Sequence, residues 1–199
     1  RMASPGNMSY VHLDALLLDP PSAAATGPFR LDAPVTVMPG RPLFVPGRAY
    51  RGQRIRMAFV PDANTTLDLV FHQQTFRTRG DPNGEPILYQ RRTLRLTTRA
   101  DAASGLSPMM NTRVNPVYRM NSVVIPGETN TLELTSGPRG VTLRLNGELT
   151  EYPGIQLLAR GETGVMVFEN SVRIETLDIV PLEAEDGASP ARDAVAWLW

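Results

Sequence analysis

Two histidines are the imidazole groups that could act as a base or a metal ligand in this sequence. His12 stands before Leu13 and Asp14 in an apolar stretch, and His72 follows Phe71 at the end of a predicted strand. A histidine metal site needs further ligands that converge on one ion. No Ser-His-Asp grouping and no His-Glu-x-x-His motif accompanies either residue. We therefore predict structural roles for both histidines.

The carboxylates are numerous, but their spacing does not suit acid–base catalysis. Retaining glycoside hydrolysis needs two carboxyl groups ~5 Å apart in one cleft, and no strand here reads Glu-x-Asp-x-x-Glu. Glu148 and Glu151 flank a predicted turn, whereas Glu183, Glu185 and Asp186 follow the last predicted strand. We predict solvated carboxylates at both places, no catalytic residues, and a protein that is not an enzyme.

The charge balance excludes further classes of site. The chain has 20 basic and 20 acidic residues and no Cys, and every basic residue is Arg. A nucleic-acid-binding surface would show a basic excess, so no nucleic-acid partner is expected. The absence of Cys excludes disulfides, thiolate metal sites and a Cys nucleophile. The densest basic cluster is Arg91, Arg92, Arg95 and Arg99, which we interpret as one solvated face of a strand.

Turn residues interrupt short apolar runs along the whole chain. The sequence has 18 Pro and 16 Gly, and between them apolar residues alternate with polar ones, as Ile55, Met57 and Phe59 do. This spacing of two is typical of half-buried β-strands. About a dozen such strands predict an all-β fold, a two-sheet antiparallel β-sandwich with an extended N-terminal arm and a short C-terminal tail.

The pattern also predicts local details. The strands at residues 50–60 and 66–71 flank a Pro-Asp-Ala-Asn turn and are predicted to pair with each other. Residues 101–114 are predicted to form a long loop, and residues 117–125 a strand. Asn146-Gly147 is among the strongest short signals for a hairpin turn.

The last third of the chain resembles a known family. Residues 130–134 read Asn-Thr-Leu-Glu-Leu, and residues 140–149 read Gly-Val-Thr-Leu-Arg-Leu-Asn-Gly-Glu-Leu. Together with residues 164–168 and 172–179, in that order, they resemble the paired strands of concanavalin A-like domains. These include laminin G-like modules and bacterial glucanase-like domains related to keto-disaccharide hydrolases. The resemblance covers about residues 50–180 and implies a jelly-roll topology.

The same resemblance implies two kinds of ligand. Laminin G-like modules hold Ca²⁺ through a strand-end Asp and loop carbonyls, and oxygen ligands are available here at Asp62, Asn64, Asp68, Asp81 and Asn83. Both Asp-Ala-Asn and Asp-Pro-Asn-Gly are also ordinary turn sequences, which we favour. We therefore predict no cofactor, with Ca²⁺ as the alternative.

A glycan ligand would need an aromatic platform. The predicted β region has no Trp, so the candidate ligand aromatics are Tyr89, Tyr118 and Tyr152. Because Tyr is also an ordinary strand residue, the absence of Trp from the β region disfavours a lectin role.

The chain ends in an apolar, Trp-containing tip. We predict one sandwich domain over residues 1–182 and a linker with an apolar tail over residues 183–199, ending at Trp197, Leu198 and Trp199. Exposed apolar surface of this kind is typical of a site that is buried against another surface. It could dock on its own sandwich, on a partner subunit or at a membrane interface, where Trp is favoured. No apolar run approaches the ~20 residues of a membrane-spanning helix.

These observations predict a non-catalytic binding or scaffolding protein. We expect an accessory subunit of a bacterial, membrane-associated complex, with other protein subunits as partners and docking residues at the C-terminal tip. We expect an extracytoplasmic location, periplasmic or in the cell envelope, and a processed or trimmed chain because it begins at Arg1. The alternative is a carbohydrate-binding, lectin-like module, followed by an enzyme related to glycoside hydrolases.

Overall fold

A computed structural model of the chain describes residues 27–76, 88–110, 118–155 and 161–182. Part of the sequence-based prediction falls outside these ranges. The N-terminal arm with His12, the loop with Asp81 and Asn83, and the tail with Trp197, Leu198 and Trp199 all lie outside the described residues.

Thirteen β-strands and no helix are found in the described ranges. In chain order they are β1 (Phe29–Arg30), β2 (Val35–Val37), β3 (Leu43–Phe44), β4 (Gln53–Pro61), β5 (Thr66–Phe76), β6 (Leu88–Thr97), β7 (Gly105–Met110), β8 (Tyr118–Arg119), β9 (Asn130–Gly137), β10 (Gly140–Leu145), β11 (Glu148–Pro153), β12 (Glu162–Glu169) and β13 (Val172–Pro181). None of the described residues forms a helix that could cross a membrane.

The strands form two antiparallel sheets. One has the order β1-β13-β4-β9-β10-β11, and β2 also pairs with β13; the other has the order β3-β12-β5-β6-β7-β8. All pairs are antiparallel. The predicted two-sheet antiparallel sandwich is confirmed.

The core lies between the sheets because alternate residues of each strand are apolar. Ile55, Met57 and Phe59 of β4 are buried from one sheet, and Leu67 and Leu69 of β5 are buried from the other. Full burial of such a side chain stabilises the fold by ~1.5–3 kcal/mol relative to exposure. The apolar set of each strand therefore fixes which face of its sheet points inward.

The predicted pairing of β4 with β5 is wrong. β4 pairs with β9 and β13, whereas β5 pairs with β6 and β12, so the two strands belong to opposite sheets. The turn between them, where Asn64 has a φ of 54°, carries the chain from one sheet to the other. Two strands that face each other across a core show the same alternation as two strands that pair side by side.

Two further predictions need correction around β7 and β8. The predicted loop at residues 101–114 contains β7. Within the predicted strand at residues 117–125, the described residues are 118–125, and of these Tyr118–Arg119 form a strand. The backbone of Ile125 is bonded by the Asn130 side chain, which accepts from its N–H at 2.9 Å and donates to its carbonyl at 2.8 Å. A side chain thus takes the place of a neighbouring strand there.

The hairpin turn at Asn146-Gly147 is confirmed. It joins β10 to β11 with φ values of 50° and 87°, the left-handed conformation that a two-residue hairpin loop requires. The Asn146 side chain accepts from the Thr131 N–H at 2.9 Å and donates to Asn130 Oδ1 at 2.8 Å. The turn is therefore tied to the neighbouring strand β9 as well as to its own hairpin.

Candidate functional site

The outer face of the six-stranded sheet carries a compact group of polar and aromatic side chains. Leu67 and Leu69 of β5 and Leu94 and Leu96 of β6 point into the core, so the residues that alternate with them point outward. We call the outward set Asp68, Val70, Arg91, Thr93, Arg95, Arg119, Met166 and Phe168 the six-strand face.

The central contact of the six-strand face is an ion pair between Asp68 and Arg95. These residues are direct cross-strand partners on β5 and β6. Arg95 Nε donates to Oδ1 at 2.8 Å and Nη2 donates to Oδ2 at 3.0 Å. The Asp68 side chain is 0% exposed and that of Arg95 is 19% exposed. Both carboxylate oxygens are engaged by the guanidinium, which disfavours Asp68 as the calcium ligand considered above.

Apolar side chains of β12 lie beside this ion pair. The Arg95 guanidinium carbon is 5.5 Å from the centroid of the Phe168 ring, a favourable cation–π distance. Phe168 is nevertheless 45% exposed. Arg91 Nη1 donates to Met166 Sδ at 3.4 Å. An exposed aromatic surface therefore stands next to fixed hydrogen-bonding groups.

Further hydrogen-bonding capacity lies toward β7 and β8. Arg95 pairs with Gly105, which pairs with Arg119, so no side chain separates the two arginines across ~10 Å of sheet. Arg119 is exposed. Among the described residues, no hydrogen-bond partner is found for the buried Thr93 Oγ1. The exposed Arg119 therefore provides the hydrogen-bond donors that a ligand can reach on this part of the face.

One end of the six-strand face is closed by a second arginine network. Arg99 Nε donates to Asp101 at 2.9 Å, and Nη1 donates to Glu169 at 2.7 Å. The hydrogen bond from Arg99 lowers the pKa of Asp101, and the two carboxylates raise the pKa of Arg99. These groups are exposed, and exposed pairs contribute little to stability.

The carboxylates beside Met166 and Phe168 are poorly suited to hydrolysis. Asp68 is the cross-strand partner of Met166, and Glu169 follows Phe168 in the chain. A glycosidase acid must be protonated and free to reach the leaving oxygen. Asp68 is held on both oxygens by one arginine and Glu169 on both oxygens by another. The geometry suits binding better than bond cleavage.

The predicted ligand tyrosines lie elsewhere. Tyr118 of β8 and Tyr152 of β11 have ring centroids 5.8 Å apart, where the last strands of the two sheets meet. Tyr118 is exposed, but Tyr152 is buried, and its burial raises the pKa of its hydroxyl. The backbone of Tyr89 belongs to β6, and its side chain is not among the groups that the structure describes. Neither Tyr118 nor Tyr152 belongs to the six-strand face.

The predicted calcium ligands that the structure describes form turn contacts. Asp62 Oδ2 accepts from the N–H and the hydroxyl of Ser171 at 3.1 and 2.7 Å, and the carbonyl of Asn64 accepts from Asn170 Nδ2 at 3.2 Å. Within the described ranges, no group of three His, Asp or Glu side chains could hold a metal ion. The turn interpretation therefore explains both residues without an ion.

His72 connects the two sheets. A bulge in β5 between Phe71 and Gln74 gives His72 a φ of 60° and turns its ring inward. Nδ1 lies 3.1 Å from the Tyr50 carbonyl and Nε2 lies 3.1 Å from Ser136 Oγ on β9. Because a carbonyl can only accept, Nδ1 carries the proton and Nε2 accepts from the serine hydroxyl. The ring is thus held neutral between the sheets.

The prediction that the arginine cluster forms one solvated face is wrong for Arg92. It lies on the core side of β6, with the same parity as Leu94 and Leu96, and is buried. Burial lowers the pKa of Arg92 to about 10, and Tyr118 partly offsets this. The signal was present in the sequence, because Arg92 stands two residues before Leu94.

His72 makes the stability of the fold depend on pH. Burial first, and the Arg92 charge second, lower the pKa of His72 from 6.5 to about 4. Between these values the unfolded chain binds a proton that the folded chain excludes, so stability falls as pH falls. We expect the free energy of unfolding to drop by about 2 kcal/mol from pH 6.5 to pH 5 through this group. Urea unfolding at both pH values measures the difference.

The two histidines of the chain provide the control for this experiment. His72→Gln is expected to remove the pH dependence between pH 5 and 6.5, whereas His12→Gln retains it. If the pH dependence of the free energy of unfolding disappeared with His12→Gln and persisted with His72→Gln, His72 would not be its source.

The two antiparallel sheets form a jelly-roll sandwich with the concanavalin A-like fold, as the sequence resemblance predicted. A candidate glycosyl hydrolase from Parabacteroides distasonis is similar, with a TM-score of 0.55, 14% identity, and coverage of 75% of this chain and 81% of that chain. A glycosidic hydrolase is similar with a TM-score of 0.52, 7% identity, and coverage of 81% and 99%. At such identities the likeness shows a shared fold and not a shared function.

No family model matches the sequence, and no curated protein matches it.

Proposed function

We propose that this protein binds saccharides without cleaving them, on the six-strand face. The observation that carries the proposal is the exposed Phe168 ring beside the Asp68–Arg95 ion pair. A sugar presents an apolar C–H face, which packs on an aromatic ring, and hydroxyls, which need fixed donors and acceptors. The buried Asp68 carboxylate holds the partly exposed Arg95 guanidinium in place before a ligand arrives.

The two similar structures support the same ligand class. Both carry the names of proteins that hydrolyse glycosidic bonds. This chain has the same architecture, but arginines hold the carboxylates beside Phe168. The combination favours the carbohydrate-binding alternative over a hydrolase, and also over the predicted subunit role.

A matched pair of variants tests the proposal. Phe168→Ala removes the exposed ring of the six-strand face, and Leu149→Ala removes an equally exposed apolar side chain from the other sheet. We expect Phe168→Ala to weaken oligosaccharide binding about tenfold or more, because stacking on the ring is lost, and Leu149→Ala to leave binding unchanged. Oligosaccharides that bind the unaltered protein in a glycan screen are then measured by titration calorimetry.

Three results would contradict the proposal. The first is that the unaltered protein binds no neutral saccharide. The second is that Phe168→Ala binds the oligosaccharide as tightly as Leu149→Ala does. The third is release of reducing sugar from a bound oligosaccharide, which would show cleavage.

The predicted subunit role and extracytoplasmic location stay predictions. The docking residues proposed for that role, Trp197, Leu198 and Trp199, lie outside the described residues. A saccharide ligand is compatible with a cell-envelope location, which we retain as a proposal.

A further inference from the structure

The outer face of the seven-stranded sheet carries a row of alternating charges. The pairing register places five residues side by side across five strands: Arg30, Asp178, Arg56, Glu133 and Arg144. Arg30 Nε donates to Asp178 Oδ1 at 2.7 Å, and Arg56 Nε donates to Glu133 Oε2 at 3.3 Å. Each carboxylate therefore stands between two arginines, and the row neutralises most of its own charge.

The neighbouring row contains an arginine, Arg54, that has no counter-ion among the described residues. Arg54 pairs with Val180 on one side and with Thr135 on the other, and Thr135 pairs with Thr142. Arg54 forms no hydrogen bond or ion pair in the part of the chain that the structure describes. It is half-buried, so water compensates its charge only in part.

Arg54 lines a groove with both charged and apolar walls. The groove has a volume of about 430 Å³, within the range of small-molecule sites. Pro28 and Val180 supply its apolar surface, and Arg30 and Arg56 line it together with Arg54. Arg30 is paired with Asp178 and Arg56 with Glu133, so the net positive charge of the groove comes from Arg54. The groove thus has an excess of positive charge beside an apolar wall.

We propose that this groove binds a small carboxylate ligand of the size and class of a sugar acid, with Arg54 as the group that binds the carboxylate. A guanidinium matches a carboxylate with two parallel hydrogen bonds, and the apolar wall accepts the C–H face of the ring. Arg30 and Arg56 already donate to carboxylates of the chain, so Arg54 is the arginine available to the ligand. The site lies on the opposite sheet from the six-strand face and does not depend on it.

The probe is D-glucuronate, with D-glucose and inorganic sulfate as comparison ligands. We expect saturable glucuronate binding that weakens as salt is added, and no binding of glucose in this groove. Arg54→Gln is expected to weaken glucuronate binding about tenfold or more, because a charge-assisted hydrogen bond pair is lost. Arg139→Gln removes an equal charge from an exposed turn and is expected to leave binding unchanged. Chemical-shift titration by NMR measures all of these affinities.

A second variant separates loss of ligand binding from loss of folding stability. Val180→Glu places a carboxylate at the cross-strand partner of Arg54, where it competes with the ligand as an internal counter-ion. We expect loss of glucuronate binding with a melting temperature at or above that of the unaltered protein.

The proposal is overturned if glucuronate does not bind saturably, if Arg54→Gln binds as well as Arg139→Gln, or if Val180→Glu retains binding. Sulfate that binds as tightly as glucuronate would overturn the assignment to sugar acids, since the apolar wall would then contribute nothing. Phe168→Ala is expected to keep glucuronate binding, so failure at the six-strand face and failure at the groove can be told apart.

Discussion

Gly161→Ala is expected to lower the free energy of unfolding by about 3 kcal/mol or more. A Cβ atom at this position would lie 2.3 Å from the His72 carbonyl carbon and 2.6 Å from the Gln73 nitrogen. Both atoms belong to the backbone of the β5 bulge, so no flexible side chain can move aside. Gly161 also exchanges two backbone hydrogen bonds with Tyr50, at 2.9 and 3.1 Å. Relief of the clash would therefore displace the bulge or break this bridge.

Gly27→Ala is the matched control for this substitution. A Cβ at Gly27 meets no atom within 4 Å. The Gly27 carbonyl, which accepts from the Tyr50 hydroxyl, is retained in the variant. Thermal unfolding measures both variants, and a loss of 3 kcal/mol corresponds to roughly 6–12 °C for a chain of this size. Equal melting temperatures for the two variants would mean that the close packing of Gly161 on His72 is not as described.

Arg95→Ala is expected to destabilise the fold by about 3–5 kcal/mol, because it leaves the buried Asp68 carboxylate without its counter-ion. Asp68 is 0% exposed, so water cannot replace the two hydrogen bonds from the guanidinium. Asp68→Asn in the Arg95→Ala background removes the buried charge and is expected to recover a large part of the loss. Urea unfolding of the single and double variants measures the coupling.

Arg99→Ala is the control for Arg95→Ala. Arg99 also bonds two carboxylates, Asp101 and Glu169, but all three side chains are at least one-third exposed. Exposed pairs of this kind contribute ~0–1 kcal/mol. If Arg95→Ala and Arg99→Ala had similar small effects, the Asp68 carboxylate would have to be accessible to water or protonated.

The two roles of Arg95 decide how the saccharide proposal is best tested. Arg95 neutralises Asp68 and also lies over the Phe168 ring, so its removal would change stability and binding together. Phe168 is exposed and contacts the ion pair only through its ring face, and an exposed cation–π contact contributes ~0.5–1 kcal/mol. Binding lost with Phe168→Ala at unchanged stability would therefore report on ligand contact alone.

The sequence itself determined the local features of this fold. Alternation at Ile55, Met57 and Phe59 predicted a strand and its buried face, because side chains of an extended chain point alternately to opposite sides. Asn146-Gly147 predicted its turn, because few residues adopt the left-handed conformation that this hairpin needs. These signals are contained in a few neighbouring residues, and the structure confirms them.

The candidate site was only partly predictable. The sequence predicted Tyr89, Tyr118 and Tyr152 as candidate ligand aromatics, and Phe168 was not among them. Phe168 stands one residue after the buried Val167, so its outward position follows from the alternation of β12. Its proximity to Arg95, in contrast, depends on which strands lie side by side.

Only the tertiary structure decided which strands lie side by side and which side chains meet. Alternation says which side chains point inward but not which strand lies beside which, so β4 and β5 could be predicted as partners although they belong to opposite sheets. Asp68 meets Arg95 across 27 residues of sequence, and His72 meets Ser136 across 64. Such contacts arise because the whole chain must bury its apolar faces at once, and that requirement cannot be read from any single segment. The charged groups of both proposed sites owe their positions to it.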